Sequence, residues 1–209
     1  VQVDSISVMN AAVVYGEQII SGKPPAVITI GDLHLSVKGI TNRRSIASSI
    51  SIRAGGSFMN TAAMDLFMLI PVESPTFSYR FAGTVNFFDL RLLNRFLETA
   101  ELIRITQGSL QIATFDIAVN NGSAQGNVRA FYKDLSLASL SKTTGEEENM
   151  ISGFTMFLAN AFVIRGSNIP DRNGVIKVGK VGYAKKKGEA FLEYTWFALR
   201  SGLKDVVGF

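Results

Sequence analysis

Gly174, Gly179 and Lys180 stand at the spacing of a phosphate-binding loop, the one place in the chain where a nucleotide motif is nearly complete. The motif's eighth position must carry a hydroxyl to reach magnesium, and here it is Val181. Val175, Lys177 and Gly179 also alternate with Ile176, Val178 and Lys180 as in a strand, whereas a phosphate loop must wrap and open a helix. Nucleotide chemistry is therefore not expected. His34 is the sole histidine and there is no cysteine. No thiolate site or disulfide can form, and a metal would find few ligands beside Asp32, so no metal and no cofactor are expected. A nucleophile triad lacks a base, and no G-x-S-x-G elbow occurs. Asp65, Asp89, Asp116 and Asp134 each fit a solvent-face or capping role better than a catalytic pair. An enzyme is not expected.

What is abundant instead is ordered apolar surface: 47% of the 209 residues are hydrophobic. Tyr79, Phe81, Val85 and Phe87 fall on one side of a period-two stretch, opposite Ser78, Arg80, Ala82, Thr84 and Asn86, which predicts a half-buried antiparallel strand. Phe58, Met64, Leu66 and Met68 share a parity upstream, with Met59, Phe67 and Leu69 on the other. That second stretch is apolar on both faces and needs covering on both. These eight residues, Phe58, Met64, Leu66, Met68, Tyr79, Phe81, Val85 and Phe87, are the candidates for an apolar groove. Parity slips near Gly31–Asp32 and between Ile112 and Phe115 predict β-bulges and strong twist. Asn121–Gly122 predicts a tight hairpin turn, Ala54-Gly55-Gly56 another turn, and Gly22 to Pro25 a longer loop.

Three segments change to helical period. Asp89 caps a short helix over 89–97, packing Leu90, Leu93 and Leu97. A second spans 150–162 with Ile151, Phe154, Leu158 and Phe162 on a stripe. The third, 188–207, stacks Leu192, Trp196, Leu199, Leu203 and Val206, with Tyr194 and Phe197 on a flank that carries Arg200 and Lys204. Charge sharpens that end. Residues 1–164 carry 12 Lys+Arg against 13 Asp+Glu, a balance of −1, and residues 165–209 carry 9 against 4, a balance of +5. Lys185, Lys186, Lys187, Tyr194, Phe197, Arg200 and Lys204 are therefore the candidates for a surface facing a membrane or a protein partner. No exposed strand interleaves aromatic and basic residues, so nucleic acid is not expected. The predicted architecture is one mainly β domain over 1–209, a twisted and partly rolled antiparallel sheet over 1–145 closed by a helix-strand-helix region over 146–209, with about three helices in all.

Several stretches carry a resemblance: "FAGTVNFFDLRLLNRFLE", "IRITQGSLQIATFDIAVNNGSAQGNVRAFYKDLSL", "FLANAFVIRGSN", "IKVGKVGY" and "FLEYTWFALRSGLKDVV". They resemble the C-terminal region of AsmA-like bacterial cell-envelope proteins, the set that includes AsmA and TamB relatives. The opening "VDSISVMNAAVVYGEQ" and "ITIGDLHLSVKGITN" are similar to the strand units that precede that region. The resemblance implies a periplasmic module of a Gram-negative envelope, anchored through sequence upstream of Val1, that shields or conducts lipid acyl chains along a β-groove in outer-membrane biogenesis. Phospholipid or fatty acid would be its ligand, the membrane surface its neighbour and an envelope protein its partner. The alternative is a structural module that docks an envelope partner through its C-terminal aromatic and basic helix.

Overall fold

The computed structural model describes residues 2–18, 24–41, 49–72, 76–140 and 165–208. Its strands are β1 (Gln2–Glu17), β2 (Ala26–Thr41), β3 (Ser49–Phe58), β4 (Ala62–Pro71), β5 (Tyr79–Val85), β6 (Phe88–Asp89), β7 (Ile103–Asn120), β8 (Ser123–Ser139) and β9 (Gly179–Ala184). A short 3-10 turn, Leu90–Leu93, leads into α1 (Asn94–Ala100), and α2 (Phe191–Val207) closes the described chain. All strands join one antiparallel sheet in the order β1-β2-β3-β4-β5-β7-β8-β9, with β6 beside β7. The mainly β antiparallel expectation holds. Among the described residues there are two α-helices rather than about three, and the segment expected to form the middle one, 150–162, lies outside them.

The sheet is open at β1 and β9 but it is not flat. Four strand spacings separate β2 from β7, about 19 Å if flat, yet α1, seven residues long, touches both. Only a curled sheet allows that. Register shifts supply the curl: β1 and β2 slip between Val8 and Val13, β2 and β3 between Gly31 and His34, and β7 and β8 between Leu110 and Ile112 as well as around Gln107. Asn10 and Asp32 take positive φ at these irregularities, as extra residues in bulges do. The bulge expected between Ile112 and Phe115 sits two residues earlier, which leaves Ile112 exposed instead of inward.

Two turn expectations divide. Asn121 and Gly122 both adopt positive φ and connect β7 to β8, as the hairpin chemistry requires. Ala54-Gly55-Gly56 is no turn but the middle of β3, and the reversal comes at Met59 and Asn60, both at positive φ. The glycines serve closeness rather than reversal. A Cβ on Gly56 would lie 2.8 Å from the Gly31 carbonyl oxygen, where the bulged β2 crosses over. Asp89 is a cap as expected, accepting from the Arg91 backbone N–H at 2.9 Å, but what it caps is the 3-10 turn, and the α-helix expected over 89–97 runs over Asn94–Ala100. The strand expected through Gly174 to Val181 begins only at Gly179. Ahead of it, Asn168 is buried and latches the loop: its Nδ2 donates to the Ala130 and Lys177 carbonyls, and its Oδ1 accepts from the Lys177 N–H.

Candidate functional site: an apolar concave face and a cavity beneath two helices

Because register is unbroken through the middle of the sheet, one cross-strand row can be followed from edge to edge. Ile6 faces Val37, Val37 faces Ile52, and Ile52 faces Met68. Met68 then faces Phe81, Phe81 faces Ile117, and Gly126 joins Ile117 to Val181. Every member is apolar or glycine. The neighbouring row points the other way and reads Ser7, Ser36, Arg53, Phe67, Ala82, Asp116, Asn127 and Lys180. Period two thus separates a greasy concave face from a mostly polar back. On that back the Arg53 guanidinium lies 5.0 Å over the Phe67 ring and Arg80 Nε donates to Asp116 at 2.8 Å. On the second face of β4, Phe67 thus has the Arg53 guanidinium over its ring.

Exposure changes along the greasy row. Ile6 is 44% exposed, Val37 and Ile52 are half-buried, and Phe81 is 1% exposed. Along this row the face is therefore open over β1–β3 and sealed from Met68 of β4 onward, while off the row α1 packs on β2. Of the eight groove candidates, Met68, Tyr79 and Phe81 lie in the sealed part, inside the core. Phe58, Met64, Leu66 and Val85 are half-buried on the same face. Phe87 is a correction. It is 61% exposed, because the chain breaks parity after Val85 and Phe88 takes the inward place, edge-on to Phe58 at 5.7 Å. The open lining consists of Ile6, Val8, Leu35, Val37 and Ile52, none of them among the eight groove candidates although β1 and β2 alternate plainly.

The seal is α2. Its buried residues are Tyr194, Ala198, Gly202 and Val206, spaced by four; of the expected stripe through Leu192, Trp196, Leu199, Leu203 and Val206, Val206 alone is among them. Small residues decide the difference. A Cβ on Gly179 of β9 would stand 2.0 Å from the Gly202 carbonyl oxygen, so helix and strand meet backbone to backbone. Tyr194, expected on an outward membrane or partner surface, is 0% exposed. Its ring packs at 5.2 Å from Phe77 and 5.6 Å from Tyr183, and its hydroxyl donates to the Gly122 carbonyl at 3.1 Å. Tyr79 joins the same cluster, sharing a 2.8 Å hydrogen bond with Thr195. Burial pushes the phenols of Tyr79, Tyr132 and Tyr194 up to about 12, which makes them structural neutral hydroxyls rather than acids for proton transfer.

The remaining basic and aromatic candidates are also partly engaged within the chain. Phe197 packs against Tyr183 at 5.8 Å, the rings tilted by 46°, with the Arg200 guanidinium over its ring, and Arg200 pairs with Glu101. Lys204 approaches the same carboxylate at 3.6 Å. Lys185 donates to the Glu189 carbonyl at 2.7 Å and lies over Phe77; Lys186 lies over Tyr183; Lys186 and Lys187 are exposed.

Between α1, α2 and the long ends of β7 and β8 is a cavity of about 200 Å³. Leu97, Ile103, Leu137, Trp196 and Leu203 are among its lining, Ile28 reaches it from β2, and among the described residues its charged lining groups are Glu101, Arg200 and Lys204. Glu101 and the cavity side of α2 were not anticipated, because no period in the sequence brings residues a hundred apart to one rim. Among the described residues no group of His, Cys, Asp or Glu is placed to hold a metal, and no helix is long and apolar enough to cross a membrane. His34 is an exposed strand residue facing Gly55. No family model matches the sequence, and no curated protein or solved structure matches it.

Proposed function

We propose that this chain is a non-enzymatic cell-envelope module that shields or conducts lipid acyl chains along its concave face. The observation that carries the reading is the register row from Ile6 to Val181, apolar in every strand it crosses and half-open to solvent over β1–β3. An acyl chain laid on that strip removes its own methylenes and the strip from water, a gain of about 0.8 kcal/mol per methylene. It needs no reactive group, and smooth aliphatic contacts let the chain slide. The sealed half serves as the stop at one end of the strip, so the groove is shorter than the eight sequence candidates imply. The resemblance to AsmA-like proteins supports the same reading and adds its setting: the periplasm of a Gram-negative cell, with phospholipid or fatty acid as cargo, a membrane surface close by and a role in outer-membrane biogenesis. The rival, partner docking through the closing helix, has less support, since Tyr194 is buried and Arg200 is paired with Glu101.

The test uses Ile6→Asp, which places a charge on the open strip without touching the core. Gently purified wild type is expected to carry phospholipid or fatty acid in native mass spectrometry, and the variant, folded by circular dichroism, to lose it. Equal retention in both would sink the assignment of the strip. Phe81→Asp is unsuited to this purpose, because it would bury an unpaired charge in the core.

A further inference from the structure

We infer that the cavity under α1 and α2 is a second, separate site that takes one medium-length aliphatic chain ending in an anionic group, a fatty acid, with Lys204 as the headgroup ligand. Size comes first. The cavity measures about 200 Å³, against roughly 150 Å³ for an engineered apolar cavity that holds benzene and its six carbons. By proportion it accommodates about eight carbons of a single chain, too little for the two tails of a phospholipid. Chemistry comes next. The walls named above are aliphatic or aromatic, and the three charged lining residues sit together, so a bound amphiphile has one polar end to its site.

The sign of that end follows from how the three charges are arranged. Arg200 is committed to Glu101 by a close ion pair. Lys204 stands 3.6 Å from the same carboxylate, beyond hydrogen-bond distance, and its side chain is 45% exposed. Its ammonium thus keeps donors for another acceptor. Glu101 is the acid beside Lys204, and it is already shared with Arg200, so the three groups together carry one excess positive charge. Glu17 of β1 is held above its usual value by burial, and the charges it senses are Arg200, Glu193 and Glu101. Lys204 is one helical turn beyond Arg200, about 6 Å further along α2, away from Glu193. A carboxylate at Lys204 therefore meets a cation with spare donors, and a cationic head would meet repulsion.

Trp196 is the chain's only tryptophan and forms part of the wall, edge-on to Phe96 at 5.1 Å. Ligand entry is therefore read by its fluorescence. The experiment titrates the whole chain with pentanoate, hexanoate, octanoate, decanoate and dodecanoate below their micelle concentrations, and with octanol. Saturable one-to-one binding is expected, tightening about fourfold per methylene up to octanoate and levelling off beyond it. Lys204→Gln is expected to weaken octanoate about fivefold and to leave octanol within twofold. Ile6→Asp, which removes the open strip, is expected to leave octanoate unchanged. The absence of a saturable Trp196 response, affinity that climbs without a break to dodecanoate, or equal effects of Lys204→Gln on octanoate and octanol would each overturn the proposal. Loss of octanoate binding in Ile6→Asp would also overturn it, moving the ligand to the strip and leaving the proposed function standing.

Discussion

The two halves of the concave face share one register row and one residue chemistry, yet they differ in what lies above them. Over β1–β3 the row meets solvent, and over β5–β9 it meets α2, so Ile6 and Phe81 are inward-pointing members of the same row at 44% and 1% exposure. A period-two pattern says which side a residue faces. It does not say whether anything sits on that side. The difference lies in the helix, and in the small residues that let it come down on one half only.

The largest expected effect breaks the comparison at its sealed end. Phe81→Ala removes a buried ring from a close-packed core and is expected to cost about 4 kcal/mol in urea unfolding, against about 0.5 kcal/mol for Ile6→Ala. Equal losses would mean that the two halves are covered alike.

The second effect concerns what holds the seal in place. Gly179→Ala drives a methyl to 2.0 Å from the Gly202 carbonyl oxygen, a backbone atom that cannot swing aside. The helix must lift, at an expected cost of about 3 kcal/mol, the upper range for overpacking, with a change in Trp196 fluorescence. Gly182, three residues along the same strand, has open space where a Cβ would stand, with nothing within 4 Å. Gly182→Ala is expected to change stability by less than about 0.5 kcal/mol. A comparable loss at both positions would remove the close approach as the reason that α2 sits where it does.

These particulars show what was legible beforehand. Inward and outward parity of β5, the Asn121–Gly122 turn, the Asp89 cap and the extent of α2 follow from local rules, and each was readable from a few neighbouring residues. Gly55 and Gly56 were misread, because a glycine pair marks either a reversal or a close approach and the sequence does not carry the distance to Gly31. The buried stripe of α2 was misread for a related reason. Large apolar residues dominate a helical wheel, while the docked face is set by Ala198 and Gly202, whose value is their small size opposite Gly179. Tyr194 shows the cost of that bias: beside basic residues it reads as an interfacial aromatic, whereas its hydroxyl finds Gly122, 72 positions away. The cavity was illegible throughout, since Glu101, Arg200 and Lys204 meet only after the sheet curls.

The smallest effect separates two depressed carboxylates, one in the seal and one on the polar back. Asp205 accepts from the Lys180 backbone N–H at 2.6 Å and from Lys177 Nζ at 3.0 Å, so these hydrogen bonds hold its carboxyl below the usual range and tie the end of α2 to β9. A depressed acid contributes stability above its unfolded pKa, and that contribution is lost as pH falls through the folded value. Asp205→Ala is expected to cost about 1 kcal/mol at neutral pH, the low end for a charged acceptor, because the carboxylate is 37% exposed. The difference from wild type should shrink as pH is lowered below the ordinary carboxylate range. Asp116 is depressed too, by its hydrogen bonds to Arg80, but both side chains are more than half exposed on the back of the sheet. Asp116→Ala is expected to leave the urea midpoint unmoved at neutral pH. If instead Asp116→Ala proved the costlier of the two, the contribution of a carboxylate here would follow its ion pairing rather than the element that it anchors.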